Sequence, residues 1–430
     1  MIVGIVFVCL ILFGMPIGFA IGISAAIGLF QIGGDQFLAI APGKVFNGLN
    51  IFPFLAMPFF ILAGEIMNQT GITDRLVSLA RVLVGQFRGG LAHTNMLASV
   101  FFAGLTGAAT ADAAAFGRTL VPAMVKDGYR RDYACAVTAA GSIIGPTIPP
   151  SGLMVVYGSL MGVSIGGLFA AGILPGLVIC LVCMLVIALG ANRQNLPAAT
   201  PAASLGEVWR TLRSSLTALL MPVIILGGIL GGIVTPTEAA SIAVAYALFI
   251  GTFVYRTLTW QALYGMLVRT ARITGVIFVI IAFASILGWW MSFERIPQLI
   301  ADSVVGFSEN RYVILAMIIC ILLVIGMVMD ITAILIILAP VLVPLAEQIG
   351  LEPIHAGIIF VLALNISLMT PPVGACLFVL SSVTGEKIER IAVKLFPFLI
   401  AEFAVLFLFA YWEDAALLVP RLLGFVSPVQ

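Results

Sequence analysis

Charge is what this sequence has least of. Only 9% of its 430 residues are Asp, Glu, Lys or Arg, against roughly a quarter in soluble domains. So few charges cannot cover a surface that faces water, which excludes a soluble domain with a single anchor. The 20 basic and 19 acidic residues nearly cancel, leaving a net charge of +1 and no reason to expect nucleic acid. Histidine is scarce too: His93 and His355 are far apart and no H-E-x-x-H occurs, which argues against intramembrane metalloproteolysis. The G-x-x-x-x-G-K-[ST] phosphate loop is missing, so no ATP is hydrolysed here. The six cysteines (Cys9, Cys135, Cys180, Cys183, Cys320, Cys376) all lie in apolar runs, and the lone C-x-x-C at Cys180 and Cys183 reads as packing. The N-terminus carries neither a basic region nor an obvious cleavage site, so it reads as a retained membrane segment.

What is abundant is apolar: 62% of the residues are hydrophobic. Apolar runs at 170–190, 216–234, 273–292 and 395–412 approach or exceed the ~20 residues that cross a bilayer as a helix. The expected fold class is an all-α polytopic membrane protein. Two Pro-rich clusters interrupt apolar stretches: Gly145-Pro146-Thr147-Ile148-Pro149-Pro150-Ser151 within 133–163, and Leu368-Met369-Thr370-Pro371-Pro372-Val373-Gly374 within 355–383. Proline removes an N–H donor and biases its predecessor out of the helix. Unwound backbone at membrane depth survives only inside protein or along a wet cavity. Each cluster therefore marks a broken helix at a site.

The clusters are copies of one another. Pro149-Pro150 and Pro371-Pro372 stand 222 positions apart (149 to 371), and so do Pro122 and Pro344. Gly64 and Met67 match Gly288 and Met291 at 224, and Pro16 matches Pro236 at 220. Such spacing predicts an internal duplication, the build in which corresponding broken segments mark the binding site. By the positive-inside rule, Arg75, Arg81 and Arg88 before 92–126, and Lys126, Arg130 and Arg131 at its end, put both flanks in the cytoplasm. The matching stretch 311–347 is followed by Glu347 and Glu352, with no Lys or Arg until Lys387. The two stretches are thus expected to be re-entrant hairpins entering from opposite faces, which makes the repeat inverted. Residues 1–30 should hold two short segments broken near Gly14-Met15-Pro16, with both termini outside.

The hairpin tips read Gly104-Leu105-Thr106-Gly107-Ala108-Ala109-Thr110-Ala111-Asp112 and Gly326-Met327-Val328-Met329-Asp330-Ile331-Thr332. Hydroxyls, freed carbonyls and helix C-termini suit sodium, a hard cation, whereas helix N-termini suit a carboxylate. Expected sodium ligands are Gly104, Thr106, Gly145, Pro146, Thr147, Gly326, Met329, Asp330, Met369, Thr370 and Pro371, for at least two ions. Expected substrate contacts are Thr106, Asp112, Arg118, Thr147, Ser151 and Thr332. Asp112 and Asp330 also suit helix N-caps, and the two roles are compatible. Arg118, one and a half turns after Asp112, suits either an ion pair with it or a substrate contact. Thr235-Pro236-Thr237-Glu238 is a capping-box pattern. Gly227, Gly228, Gly231 and Gly232 hold two G-x-x-x-G spacings that allow close helix contact. The five tryptophans fall near segment ends, as in an aromatic belt. Glu65 and Glu402 should be paired or interfacial.

Met57-Pro58-Phe59-Phe60-Ile61-Leu62-Ala63-Gly64-Glu65, the 145–151 cluster, Thr235–Ala240 with Tyr246, and Met369–Gly374 together resemble the large membrane subunit of tripartite ATP-independent periplasmic (TRAP) transporters. The resemblance implies sodium-coupled uptake of organic acids, such as sialic acid or C4-dicarboxylates, across the bacterial inner membrane. It implies a periplasmic substrate-binding protein and a small four-helix membrane subunit as partners, the latter a separate chain. It also implies an elevator: a scaffold at 1–91 and 196–292, and a mobile domain at 92–190 and 308–412. A stand-alone sodium/anion symporter of similar build is the alternative.

Overall fold

Where the helices of this chain start is decided by short polar side chains and proline, because the first four N–H groups of a helix need partners that hydrocarbon cannot supply. The computed structural model describes residues 2–199, 201–308 and 310–427; the side chains of residues 35, 105, 106, 301–303, 305 and 307 lie outside that description. Every regular element among the described residues is helical. Ser164, Ser204 and Thr259 cap the long helices Ile165–Gly190, Leu205–Leu230 and Trp260–Phe293, each accepting a backbone N–H three residues on. At Thr235 the capping box forms in full: Thr235 N–H donates to Glu238 Oε2 at 2.8 Å and Glu238 N–H to Thr235 Oγ1 at 3.3 Å.

Among the described residues, six helices are long and apolar enough to span a bilayer, and eight if each of two bent pairs counts as one span. One bent pair is the first broken helix, turned by 41° between Arg131–Thr147 and Gly152–Met161. The other, Gln36–Leu49 with Phe52–Gln69, turns by 63°. That bend was not foreseen; Asn50 and Pro53, at and just past the joint, are its local signal. The apolar run at 216–234 stops as a helix at Leu230, because Gly231 and Gly232 close it, the latter at φ 67°.

The duplication is present in the helices themselves. Gly90–Thr106 and Ala109–Lys126 form one hairpin, Arg311–Gly326 and Ile331–Gln348 the other. The break at 148–151 separates Arg131–Thr147 from Gly152–Met161, and a second break separates Pro353–Ser367 from Ala375–Thr384. Ile165–Gly190 and Ile388–Tyr411 follow. The starts of these five pairs of helices are offset by 221 to 223 positions (90 to 311, 165 to 388). Pro149-Pro150 and Pro371-Pro372 are both cis. Nearer the N-terminus, Ile2–Leu12 and Ile17–Gly33 are separated at Gly14, which takes φ 78°.

Packing sorts the helices into two groups. Ile17–Gly33, Ala41–Leu49 and Ala56–Gln69 lie against Trp260–Phe293, and Pro236–Phe249 lies against Ala56–Gln69. The hairpins pack with the broken helices, against which Ile165–Gly190 and Ile388–Tyr411 also lie. Between the groups runs Ile72–Val84, whose buried Ile72, Leu76, Leu79 and Ala80 form one face and which contacts both Leu205–Leu230 and Gly90–Thr106. At the far end of the second repeat, Glu413 ties Arg311 at 2.7 Å to the chain's C-terminal turns. There Glu352 caps Pro353–Ser367 through the His355 N–H, and burial raises its carboxyl pKa.

One smaller expectation needs correction. Trp209, Trp260 and Trp412 are exposed as a belt requires, but Trp289 stacks near Phe37 and Lys44, and Trp290 closes over Gly28. These two pack helix against helix. At 227–232, methyls placed on the four glycines would meet only Gly227, Ile233 and Val234 among the described residues, so the close helix contact that spacing allows is not made within the described chain. Thr235→Ala should lower thermal stability by about 1 kcal/mol, read as a lower Tm in detergent, with transport retained.

Candidate functional site

Both hairpin tips and both breaks open onto one cavity of about 690 Å³. Gly107, Ala108 and Thr110 bring the first tip, and Gly326 to Thr332 the second. Pro146, Pro150 and Gly152 bring the first break; Leu368, Val373 and Ala375 bring the second. The opposite wall is Met57, Phe60, Gly64, Glu65 and Asn68 on one helix and Ile273, Val276, Ile277 and Ile280 on another. Most of this lining is apolar, with few polar groups, as ligand cavities are.

Tip depth does not follow from arm length. Arms of 16 to 18 residues rise about 24–27 Å, most of the ~30 Å core. It is the meeting of tips with breaks that puts them at one place. Contacts too close for a side chain hold them there. The first tip's Gly107 sits on the carbonyl of Pro150, 2.7 Å from where a methyl would be. A methyl on Gly145 would overlap Asp112 Oδ2, so the first break carries glycine where the first hairpin brings its carboxylate. In the second repeat the roles are reversed: a methyl on Gly326 of the hairpin would overlap Ser367 of the broken helix. Ser367 stands where Gly145 stands, 222 positions on.

The two carboxylates are therefore not equivalents. Asp330 is an N-cap, accepting from Thr332 N at 3.0 Å and Ala333 N at 3.1 Å at the cavity's edge. Asp112 lies in the first turn of its helix and is fully buried. Arg118 is not its partner and does not line the cavity: six residues turn a helix about 240°, which leaves Arg118 on the exposed face. That correction has a simple cause, since three or four residues, not six, share a helix face.

The remaining expected residues divide by position. Pro146, Gly326, Met329, Asp330 and Thr332 line the cavity. Behind its wall lie Gly145, Thr147, Ser151, Met369 and Thr370, all buried, and Pro371, half-buried. Gly104 packs instead on Pro222 of Leu205–Leu230, and the side chain of Thr106 lies outside the described residues. Thr147 Oγ1 donates to Ile143 O at 2.7 Å and accepts from Asn365 Nδ2 at 3.2 Å, joining the two broken helices. Thr370 Oγ1 donates to Ile366 O at 2.8 Å. Two buried oxygens, Ser151 Oγ and Asn365 Oδ1, have no hydrogen-bond partner among the described residues. Oxygens of that kind, with carbonyls freed at the breaks, are the donors a hard cation takes. Asn365, Ser367, Thr110 and Glu65 were missed as site residues. Only Glu65 carried a signal, an acid ending an otherwise apolar motif.

An all-helical chain with paired hairpins and broken helices around one cavity has the fold of a membrane transporter. It is similar to the crystal structure of the Alcanivorax borkumensis YdaH transporter, which shows an unusual topology, at a TM-score of 0.58 and 16% identity over 88% of this chain and 89% of that one. The chain belongs to the tripartite ATP-independent periplasmic transporter family as a DctM component, whose family model matches residues 3–415. It is 38% identical to the sialic acid TRAP transporter large permease protein SiaM of Vibrio cholerae, over 95% of both chains. It is 37% identical to the 2,3-diketo-L-gulonate TRAP transporter large permease protein YiaN of Escherichia coli, over 94% of this chain and 95% of that one. This is a multi-pass inner-membrane permease and not an enzyme.

Gly145→Ala should cost about 1–3 kcal/mol and abolish transport, while Gly275→Ala, with nothing within 4 Å, should be neutral or slightly stabilising. Gly326→Ala should be partly rescued by Ser367→Gly. Thermal unfolding of the purified variants in detergent checks all three.

Proposed function

We propose that this permease takes up a small organic acid by sodium symport, moving its two hairpins as one body against a fixed scaffold. The observation that supports this most is the single cavity shared by two hairpin tips and two broken helices. In that arrangement carbonyls and hydroxyls of the breaks would hold sodium, at least two ions, among the oxygens of residues 145–147 and 369–371 and of the second tip. The helix starts at Gly152, Ile331 and Ala375 offer N–H groups to a carboxylate. The mobile body would be 92–190 with 308–412, and the scaffold 1–91 with 196–292. Opposite entry of the hairpins from the two membrane faces, read from the flanking charges, is part of the proposal.

The driving force suffices without ATP. Two sodium ions with a monoanion move one net charge, worth about 2.3 kcal/mol per 100 mV. A roughly tenfold sodium gradient adds about 1.4 kcal/mol per ion. Together, on the order of 5 kcal/mol supports a several-thousand-fold accumulation.

The family's name specifies three parts, and its members are called large permeases, so a small membrane subunit and a periplasmic binding protein complete the carrier in this reading. Relatives named for sialic acid and for 2,3-diketo-L-gulonate are almost equally similar, at 38% and 37% identity. Identity alone does not choose between them, and sialic acid is our first candidate.

Reconstituted into proteoliposomes with its small subunit, the chain should accumulate one acid of a panel of sialic acid, 2,3-diketo-L-gulonate and C4-dicarboxylates. Uptake should need both a sodium gradient and the binding protein. Uptake with sodium alone would mean a stand-alone symporter, and uptake indifferent to sodium would sink the coupling. Thr370→Val and Asp330→Ala should each abolish sodium-dependent uptake with folded protein retained; unchanged sodium dependence in both would overturn the ion sites.

A further inference from the structure

The cavity has a charge problem. The charged side chains that line it are Glu65 and Asp330, and no basic side chain lines it among the described residues. Asp330 is committed to capping its helix. Glu65 lies in the last turns of Ala56–Gln69, caps nothing, and reaches across to Arg269, whose Nε donates to Glu65 Oε2 at 2.9 Å. Arg269 lies one turn before Ile273, the first of four residues by which Trp260–Phe293 walls the cavity. The pair thus stands at one end of that wall.

Three features distinguish this pair from a strut. Its side chains are 29% and 51% exposed, and ion pairs so exposed are weakly held. Only Nε of the guanidinium is engaged, and its two terminal nitrogens meet no acceptor among the described residues. Guanidinium is the group that takes carboxylates two bonds at a time. Finally, Lys44 lies over Trp289, and Arg75 is bonded to Ser214 O and stacked on Tyr255, so those cations are occupied elsewhere.

We propose that Arg269 binds the carboxylate of the transported acid at the cavity mouth, and that Glu65 is the resident carboxylate which the acid displaces and which later displaces the acid. This rests on the organic-acid reading above. An acid leaving the tips along the Ile280-to-Ile273 wall exchanges with Glu65 on the guanidinium. When Glu65 returns, the acid is released. An acidic residue in an anion carrier's cavity then has a task, which is to keep Arg269 from becoming a trap.

The two halves of the pair should fail in opposite directions. Arg269→Gln should weaken the acid's Kd and raise KM roughly tenfold, the usual scale for a charge-assisted bond. Glu65→Gln should tighten Kd several-fold while slowing turnover. The double variant should resemble Arg269→Gln. The probe is the panel acid that the wild-type protein carries, sialic acid first; Kd comes from calorimetry in detergent, KM and turnover from proteoliposomes, and Tm from thermal unfolding. A structural strut would move both single variants the same way, in step with lost Tm, and that result overturns the proposal. So does an unchanged Kd in Arg269→Gln. Wild-type protein that carries no acid sinks the parent reading as well, which separates the two failures.

Discussion

A peptide group in hydrocarbon must find its hydrogen-bond partner within the protein, and this permease departs from that constraint at two paired places. At 148–151 and 368–374 the helix opens, and the surrounding molecule is arranged to make those openings tolerable. Each hairpin brings its tip to a break, Gly107 closes on the Pro150 carbonyl, and Thr147 and Asn365 bond across the two broken helices. Several long helices elsewhere are ordinary in comparison, capped by Ser, Thr or Asp and packed by apolar faces.

Much of this could be read from residues alone, because the signals were backbone signals. Two consecutive prolines cannot continue a helix, and their recurrence 222 positions on exposes the duplication whatever the side chains do. Helix starts at Thr235 and Asp330 were legible for the same reason, since a cap is local. Contacts between distant segments were not. Nothing in the chain says that Asn365 meets Thr147 or that Arg269 meets Glu65, because no periodicity links residues some 200 apart. Arg118 misses the cavity by a matter of helix phase, and the side of Gly104 that faces Pro222 was not legible either. Motif reading also made the hairpin tips look alike, each with one acid. The coordinates separate a buried carboxylate seated on glycine from an exposed cap.

That separation shows how the two repeats have diverged while keeping their frame. Helix starts keep their offset to within two residues, yet the broken-helix position at each hairpin's seat has changed, Gly145 in the first repeat and Ser367 in the second. In the first repeat the broken helix is bare and the hairpin brings oxygen; in the second the hairpin is bare and the broken helix brings it. Pseudo-symmetry of backbone does not carry over to donors, so two ion sites built on these seats would differ in charge as well as in ligands.

The Thr147–Asn365 bond bears on how such sites would fill. Thr147 gives its only proton to Ile143 O and one lone pair to Asn365, which leaves a single lone pair for anything else. The amide oxygen of Asn365 is buried nearby in the same side chain and has no partner among the described residues. A cation drawn to either oxygen would polarise or rotate a group that the two broken helices share. In the sodium reading proposed above, occupancy in the first half of the chain would be felt in the second through a hydrogen bond between two neutral side chains.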